Sequence, residues 1–161
     1  MTPDVRSPRI VVGYDGSAAS RAAIARAVRR AGETGKVYLV HAYSLPNDWL
    51  GIPDYQRLLD IELNRARDLI GRLEAESGVD LSATSWETEL IGAAPAKAIA
   101  DVAAARDADE IILGTRGHGR ARALLGSVAH ELIHLATCPV TVIPERAVAG
   151  IDARARRAVA A

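Results

Sequence analysis

An apolar run, Glu110 to Leu113 (EIIL), leads directly into Gly114-Thr115-Arg116-Gly117-His118-Gly119, and Gly126-Ser127 open a helix-like stretch beyond it. Glycines let backbone N–H groups approach a phosphate with no Cβ between them. A helix N-terminus behind such a loop adds unpaired N–H groups and the positive end of the helix dipole. Ser127 supplies a hydroxyl, and Arg116, Arg120 and Arg122 supply charge that can neutralise phosphate. The chemistry these residue types suit is binding of nucleotide phosphates. A loop that uses its glycines only to turn from strand to helix has the same composition. Two better-known phosphate motifs do not fit. The order Gly114, Gly117, Gly119 reverses GxGxxG, and the loop has no Lys for GxxxxGK[ST].

Two other places carry chemistry. Asp15 follows the first apolar run, where a carboxylate can accept hydrogen bonds from a ribose hydroxyl or a base amino group; it can equally cap the helix that starts near Ala18, as can Ser17. His130-Glu131-Leu132-Ile133-His134 is a literal H-E-x-x-H, which on a helix places both histidines on one face, as in zinc metallopeptidases. A third protein ligand is needed for that chemistry, and the x-x-G-x-x-H extension does not follow. Cys138 and Glu145 are the remaining ligand types nearby, and they sit beside or beyond an apolar run. The helix is also needed to cover a sheet, with Val128, Leu132, Ile133 and Leu135, leaving His130 and His134 on the surface or facing a second subunit. G-x-S-x-G is absent, so no hydrolase elbow is expected. His41 reads as a hydrogen-bonded, partly buried residue beside the site, and Cys138 as a packing residue. Trp49 and Tyr55 lie in or near a long loop, which they either pin to the sheet or close over a ligand.

The elements that must position these residues alternate. Strands are expected at Arg9–Tyr14, Val37–Ala42, Ser82–Ile91, Glu110–Leu113 and Pro139–Ile143. Helices are expected at Ala18–Ala31, 54–77, Pro95–Arg106 and Gly126–Thr137. The long helix places Leu58, Leu59, Leu63, Ala66, Leu69, Ile70 and Leu73 on one side. Five strands alternating with four helices imply an α/β fold: one open, mostly parallel sheet with helices on both faces. Ligands of such sheets sit beyond the carboxyl ends of the strands, where strand order reverses. That directs attention to the loops after the first and fourth strands.

Composition narrows the classes further. The chain has 161 residues, the size of one domain, and 49% hydrophobic with 25% charged residues is ordinary for a globular core. Twenty Lys+Arg balance twenty Asp+Glu, so no global field favours nucleic acid or an acidic membrane. One Cys excludes an internal disulfide framework. Phe is absent and aromatics are 4%, which leaves few rings for stacking on single-stranded nucleic acid. No apolar run has the length of a membrane helix, and the N-terminal stretch lacks the core of a secretory signal. A cytoplasmic protein with no nucleic-acid or membrane partner is expected.

The combination of IVVGYDGS, LVHAY, GTRGHG followed by LLGSVAHELI, and CPVTVIP resembles the universal stress protein family from about residue 8 to residue 145. The resemblance implies a single Rossmann-like domain over 9–145, of the adenine nucleotide alpha hydrolase-like type. The segments 1–8 and 146–161 read as a flexible lead-in and tail. It also implies a homodimer through the last strand, Pro139 to Ile143. Nucleotide-binding members carry G-x2-G-x9-G-[ST]. By that likeness, Gly114, Gly117, Gly126 and Ser127 would hold the phosphates and ribose of ATP, with magnesium. Asp15 would hold the adenine or ribose end, Ala42 and Leu113 would line the adenine pocket, and Val128 would contribute a backbone group. Here eight residues (HGRARALL) separate Gly117 from Gly126, one fewer than the family pattern. Two residues rather than one separate Gly92 from Pro95. The expected function is ATP binding by a stress-response or signalling module, with no catalytic residue assigned and at most slow hydrolysis. The alternatives are a nucleotide-free homodimeric interaction protein of the same family and, remotely, a zinc metallopeptidase.

Overall fold

The computed structural model describes residues 6–45, 55–73, 75, 79–115 and 125–144. Strands β1 (Arg9–Gly13), β2 (Lys36–Tyr43), β3 (Ser85–Gly92), β4 (Glu110–Gly114) and β5 (Val140–Ile143) form one sheet in the order β3-β2-β1-β4-β5. Every neighbouring pair is parallel, with Ile10 opposite Val37 on one side and Glu110 on the other. Helices α1 (Ala18–Ala31), α2 (Tyr55–Gly71), α3 (Pro95–Ala105) and α4 (Ser127–Leu135) supply the crossovers.

β1 is the centre of the sheet, and its residues show why an uninterrupted apolar run is needed there. Ile10, Val11 and Val12 are fully buried. Strand alternation sends Ile10 and Val12 into the core with α1 residues Ile24 and Ala27, and Val11 into the opposite core with Ile99 and Leu132. The two faces of the sheet are therefore covered by α1 with α2, and by α3 with α4.

Helix α1 begins where Ser17 Oγ accepts the Ser20 N–H at 3.1 Å, and ends at Gly32, whose φ of 62° lies in the left-handed region. Its buried face is mostly alanine, which lets its backbone lie close to the sheet. A Cβ on Gly114 would sit 2.7 Å from the Ala19 carbonyl carbon and 2.9 Å from Ser20 N. Helix α3 starts at Pro95, where the missing N–H leaves no bond unmade.

Several expected boundaries move. β1 ends at Gly13 rather than Tyr14, although the Tyr14 N–H still donates to Val40 O at 2.9 Å. The stretch expected to begin β3 at Ser82 is instead a short 3-10 turn, Leu81–Ala83, capped by Asp80 accepting from Ser82 N, and the strand starts at Ser85. Helix α2 spans Tyr55–Gly71, and only the end of its apolar stripe reaches the core: Ala66 and, just beyond the helix, Leu73 are buried. Leu69 and Ile70 pack against that core, while Leu58, expected on the covering face, is exposed. Ile133 and Leu135 were likewise expected to cover the sheet, but they are 53% and 45% exposed. A helix of nine residues presents one stripe, here Val128, Ala129 and Leu132. Cys138 packs against the same core. The proposed lead-in lies largely, and the tail and Trp49 wholly, outside the described residues.

At the amino ends of the strands, ion pairs close the sheet. Asp109 accepts from Arg9 N at 2.8 Å and Arg6 Nη2 at 2.6 Å, while Arg106, just past α3, donates to Glu89 in the middle of β3 at 2.7 Å. The opposite end, at the strands' carboxyl termini, is where the chain opens into a cavity.

Candidate nucleotide site

Chain order fixes where that cavity forms. From β1 the chain moves outward to β2 and β3, then crosses back over the sheet to β4 on the other side of β1. The connections leaving β1 and β4 therefore diverge to opposite faces, and a crevice opens between them. The crevice is a cavity of about 690 Å³, within the span of ~300–1,000 Å³ typical of small-molecule sites.

Five separate stretches of chain supply its walls, and four of them carry residues singled out from sequence. Asp15 lies just past β1, and Ala42 near the end of β2. Leu113 and Gly114 end β4. Gly126, Ser127 and Val128 form the first turn of α4. Seven of the residues singled out from sequence thus face one space. The eighth, Gly117, lies outside the described residues, as do Arg116, Arg120 and Arg122.

The α4 end of the cavity suits an anion. Gly126 is the N-cap and has no side chain to close the first turn. The first N–H to find an intrahelical acceptor is that of His130, which donates to Gly126 O at 2.9 Å. The N–H groups of the first turn precede it, and their residues line the cavity. The end of the loop is held in place. Thr115 N donates to Ile143 O at 2.8 Å, and Gly126 N donates to Thr115 O at 2.7 Å. The chain that leaves β4 and the chain that enters α4 are therefore clasped to each other and to β5.

The other end is apolar. Val40, Pro95, Ile99 and Leu113 form a wall that the sequence reading did not single out beyond Leu113. Their types are those of any core, so only their place at the end of β2 and the start of α3 marks them. Ser17, Ser20 and Thr115 add hydroxyls, two of them engaged with the backbone of α1.

Asp15 has both roles open to it in sequence. Its Oδ1 accepts the Ser17 N–H at 3.0 Å, shaping the turn at Gly16, whose φ is 80°, and it also lines the cavity. His41 lines the cavity too, with Nδ1 2.7 Å from Tyr14 O. A carbonyl only accepts, so Nδ1 carries a hydrogen and Nε2 is the nitrogen left for other partners.

The H-E-x-x-H histidines stand on the exposed side of α4, with ring centres 5.4 Å apart, and His130 also lines the cavity rim. Among the described residues no group of three or more His, Cys, Asp or Glu gathers that could hold a metal ion. Among them, too, no helix is long and apolar enough to cross a membrane.

Comparison with known proteins agrees with this architecture. The family model described as the universal stress protein family matches residues 7–144. A relative from Thermus aquaticus, described as a universal stress protein in the QAH/OAS sulfhydrylase 3′ region, is 35% identical over 137 residues, 83% of this chain and 96% of that one. Universal stress protein UspA from Lactobacillus plantarum superposes with a TM-score of 0.70 at 27% identity, over 87% of this chain and 99% of that chain. A universal stress protein solved in complex with cAMP is 28% identical with a TM-score of 0.57, over 87% and 98% of the two chains. One from Archaeoglobus fulgidus in complex with dAMP is 27% identical with a TM-score of 0.50, over 86% and 99%. With matching sequence across 7–144 and the same single α/β sheet, the chain belongs to the universal stress protein family.

Proposed function

We propose that this chain binds an adenine nucleotide, ATP with magnesium, in the cavity between β1 and β4, and acts as a nucleotide-dependent stress-response module. The observation that carries the reading is convergence: residues 15, 42, 113–114 and 126–128, far apart in sequence, face one cavity at the switch point. The chemistry of the walls supports the orientation. The apolar wall of Val40, Ile99 and Leu113 suits the base, Asp15 and His41 offer partners to ribose or base, and the first turn of α4 suits phosphates. Asp15 is the only carboxylate on the cavity wall among the described residues, so magnesium would be held chiefly by the phosphates. Solved relatives in complex with cAMP and dAMP support the adenine nucleotide class.

The test is calorimetric titration of ATP·Mg into nucleotide-free protein, with AMP and cAMP as parallel ligands. Ser127→Ala is the informative variant, because Ser127 is exposed and caps nothing. Losing a hydrogen bond to a charged phosphate, about 1.5–3 kcal/mol, should weaken binding at least tenfold. Saturation near one ATP per chain, weakened in this variant, supports the reading. No heat and no thermal stabilisation at millimolar ATP would sink it. Tighter binding of cAMP or AMP than of ATP would overturn the triphosphate alone.

A second reading, an assembly that works through protein contacts, is favoured by one observation. β5 is an edge strand with every residue half-buried, and Ile133 and Leu135 stand exposed on the neighbouring α4. We propose a homodimer through β5 as the cover for this surface. Light scattering should give twice the 17.1 kDa of one chain; a monomer at micromolar concentration would refute it.

A further inference from the structure

We propose that His130 and His134 form a binding site for a divalent transition-metal ion, of the zinc or nickel class, at the rim of the cavity. The two side chains are four residues apart on α4, so they project from one face of the helix. Both are exposed, and their ring centres lie 5.4 Å apart with the planes 75° apart. A metal bound about 2.0–2.1 Å from one nitrogen of each ring lies ~3.2 Å from each ring centre, and a tetrahedral angle then separates the centres by ~5.2 Å. The observed ring-centre separation of 5.4 Å, in an edge-to-face contact, is close to that span.

Imidazole nitrogens select zinc, nickel or copper over magnesium, which prefers oxygen. The site is therefore distinct in chemistry from the magnesium expected on ATP. Two protein ligands do not make a peptidase centre, which needs three. They leave coordination positions open to water or to an oxygen of whatever occupies the cavity, because His130 belongs to the cavity wall as well. That last step rests on the nucleotide reading; the metal site itself does not.

The experiment uses the untagged full chain. Zinc is titrated against a chromophoric chelator, in parallel with His130→Ala and His134→Ala. One zinc per chain is expected, with each variant binding at least about 10–100-fold more weakly, the loss that even outer-shell partners of a metal produce. His134→Ala separates the two readings, because His134 is not on the cavity wall: ATP·Mg binding should persist while zinc binding fails. Zinc affinity unchanged in both variants, or no zinc binding up to millimolar concentration, would overturn the proposal. Cobalt loaded in place of zinc tests the open positions. Its visible spectrum should shift when AMP is added and should not shift in either variant. An unchanged spectrum with AMP demonstrably bound refutes the shared oxygen ligand. Absence of AMP and ATP binding refutes the nucleotide reading and leaves the zinc titrations to judge the metal site.

Discussion

Gly114 and Gly13 end the two strands that flank the cavity, and a methyl group added to each should give opposite results. At Gly114 the new Cβ would lie 2.7 Å from the carbonyl carbon and Cβ of Ala19 and 2.9 Å from Ser20 N. These are mostly backbone atoms of α1, so relief requires the helix to move off β4. Overpacking against an element that cannot yield costs about 2–3 kcal/mol. The stiffer unfolded chain returns about 0.4–1 kcal/mol, for a net loss of about 2 kcal/mol. At Gly13 the Cβ would lie 2.7 Å from Ile99 Cδ1 and Leu113 Cδ2, which are side-chain ends. Both residues line the cavity, so their methyls can turn into it. Small turns of flexible side-chain ends cost about 0.5 kcal/mol apiece, so about 1 kcal/mol for the two is largely offset by the same unfolded-state gain. Urea unfolding followed by circular dichroism should therefore show Gly114→Ala losing about 1 M in midpoint, for a slope near 2 kcal/mol/M, with Gly13→Ala within a few tenths of wild type. Nucleotide binding should respond in the other sense, with Gly13→Ala stable but weakened because its displaced side chains occupy ligand space. Equal midpoints, or a larger loss at Gly13, would refute the claim that Gly114 is required by α1 as well as by a ligand.

Other consequences follow from local contacts. Ser17→Ala removes the acceptor for Ser20 N–H at the start of α1 and should cost about 1 kcal/mol in urea unfolding, with Ser17→Asp retaining most of it. Burial pushes the Asp109 carboxyl up, but the Arg9 N–H and the Arg6 guanidinium outweigh it and hold it below the usual carboxylate range. A lowered carboxyl stabilises the fold above its unfolded value and loses that contribution as pH falls through its folded value. Asp109→Asn should thus cost about 1 kcal/mol or less at neutral pH, since solvent screens a partly exposed group, and the gap should close below about pH 4. Burial, with the nearby charges of Asp109 and Glu110, holds the Cys138 thiol above its ordinary range. Alkylation at pH 8 should be slower than that of free cysteine and should quicken in Asp109→Asn; a rate equal to free cysteine would contradict the packing seen here.

Sequence carried the sheet well, for a physical reason. The middles of β1 and β4 are buried on both faces, so residues 10–12 and 111–113 are apolar in succession, without the polar interruptions of an amphipathic helix. It carried less about which part of each helical stripe meets the sheet. Leu58, Ile133 and Leu135 fit a stripe by type, but burial depends on where the helix crosses, which periodicity does not encode. Loose alternation also hid the turn at Leu81–Ala83, because Leu81 is buried as a strand residue would be. At the site, backbone-driven features were legible: glycines where chains approach closely, and Asp15 where a turn must form. The apolar wall was not, since Val40 and Ile99 differ from core residues only by their position at the sheet's carboxyl end.

On the proposed nucleotide reading, the shortened glycine spacing matters less than how the ends of that stretch are held. What a ligand at the start of α4 requires is that Ser127 keep its place relative to Gly114. That relation is set by the clasp of Gly126 N on Thr115 O and of Thr115 N on Ile143 O, both at the base of the connection. Residues between the clasped ends can change in number while the ends stay fixed, and a closed loop's entropy changes slowly with length. Inserting one glycine after His118, which restores the family count of nine, should therefore move stability by less than about 0.5 kcal/mol. The same insertion should leave the ATP response to Ser127→Ala intact. Thr115→Pro, which removes the N–H donated to Ile143 O, should weaken both stability and binding. If instead the insertion alone raised affinity tenfold or more, the count rather than the clasp would be what sets the site.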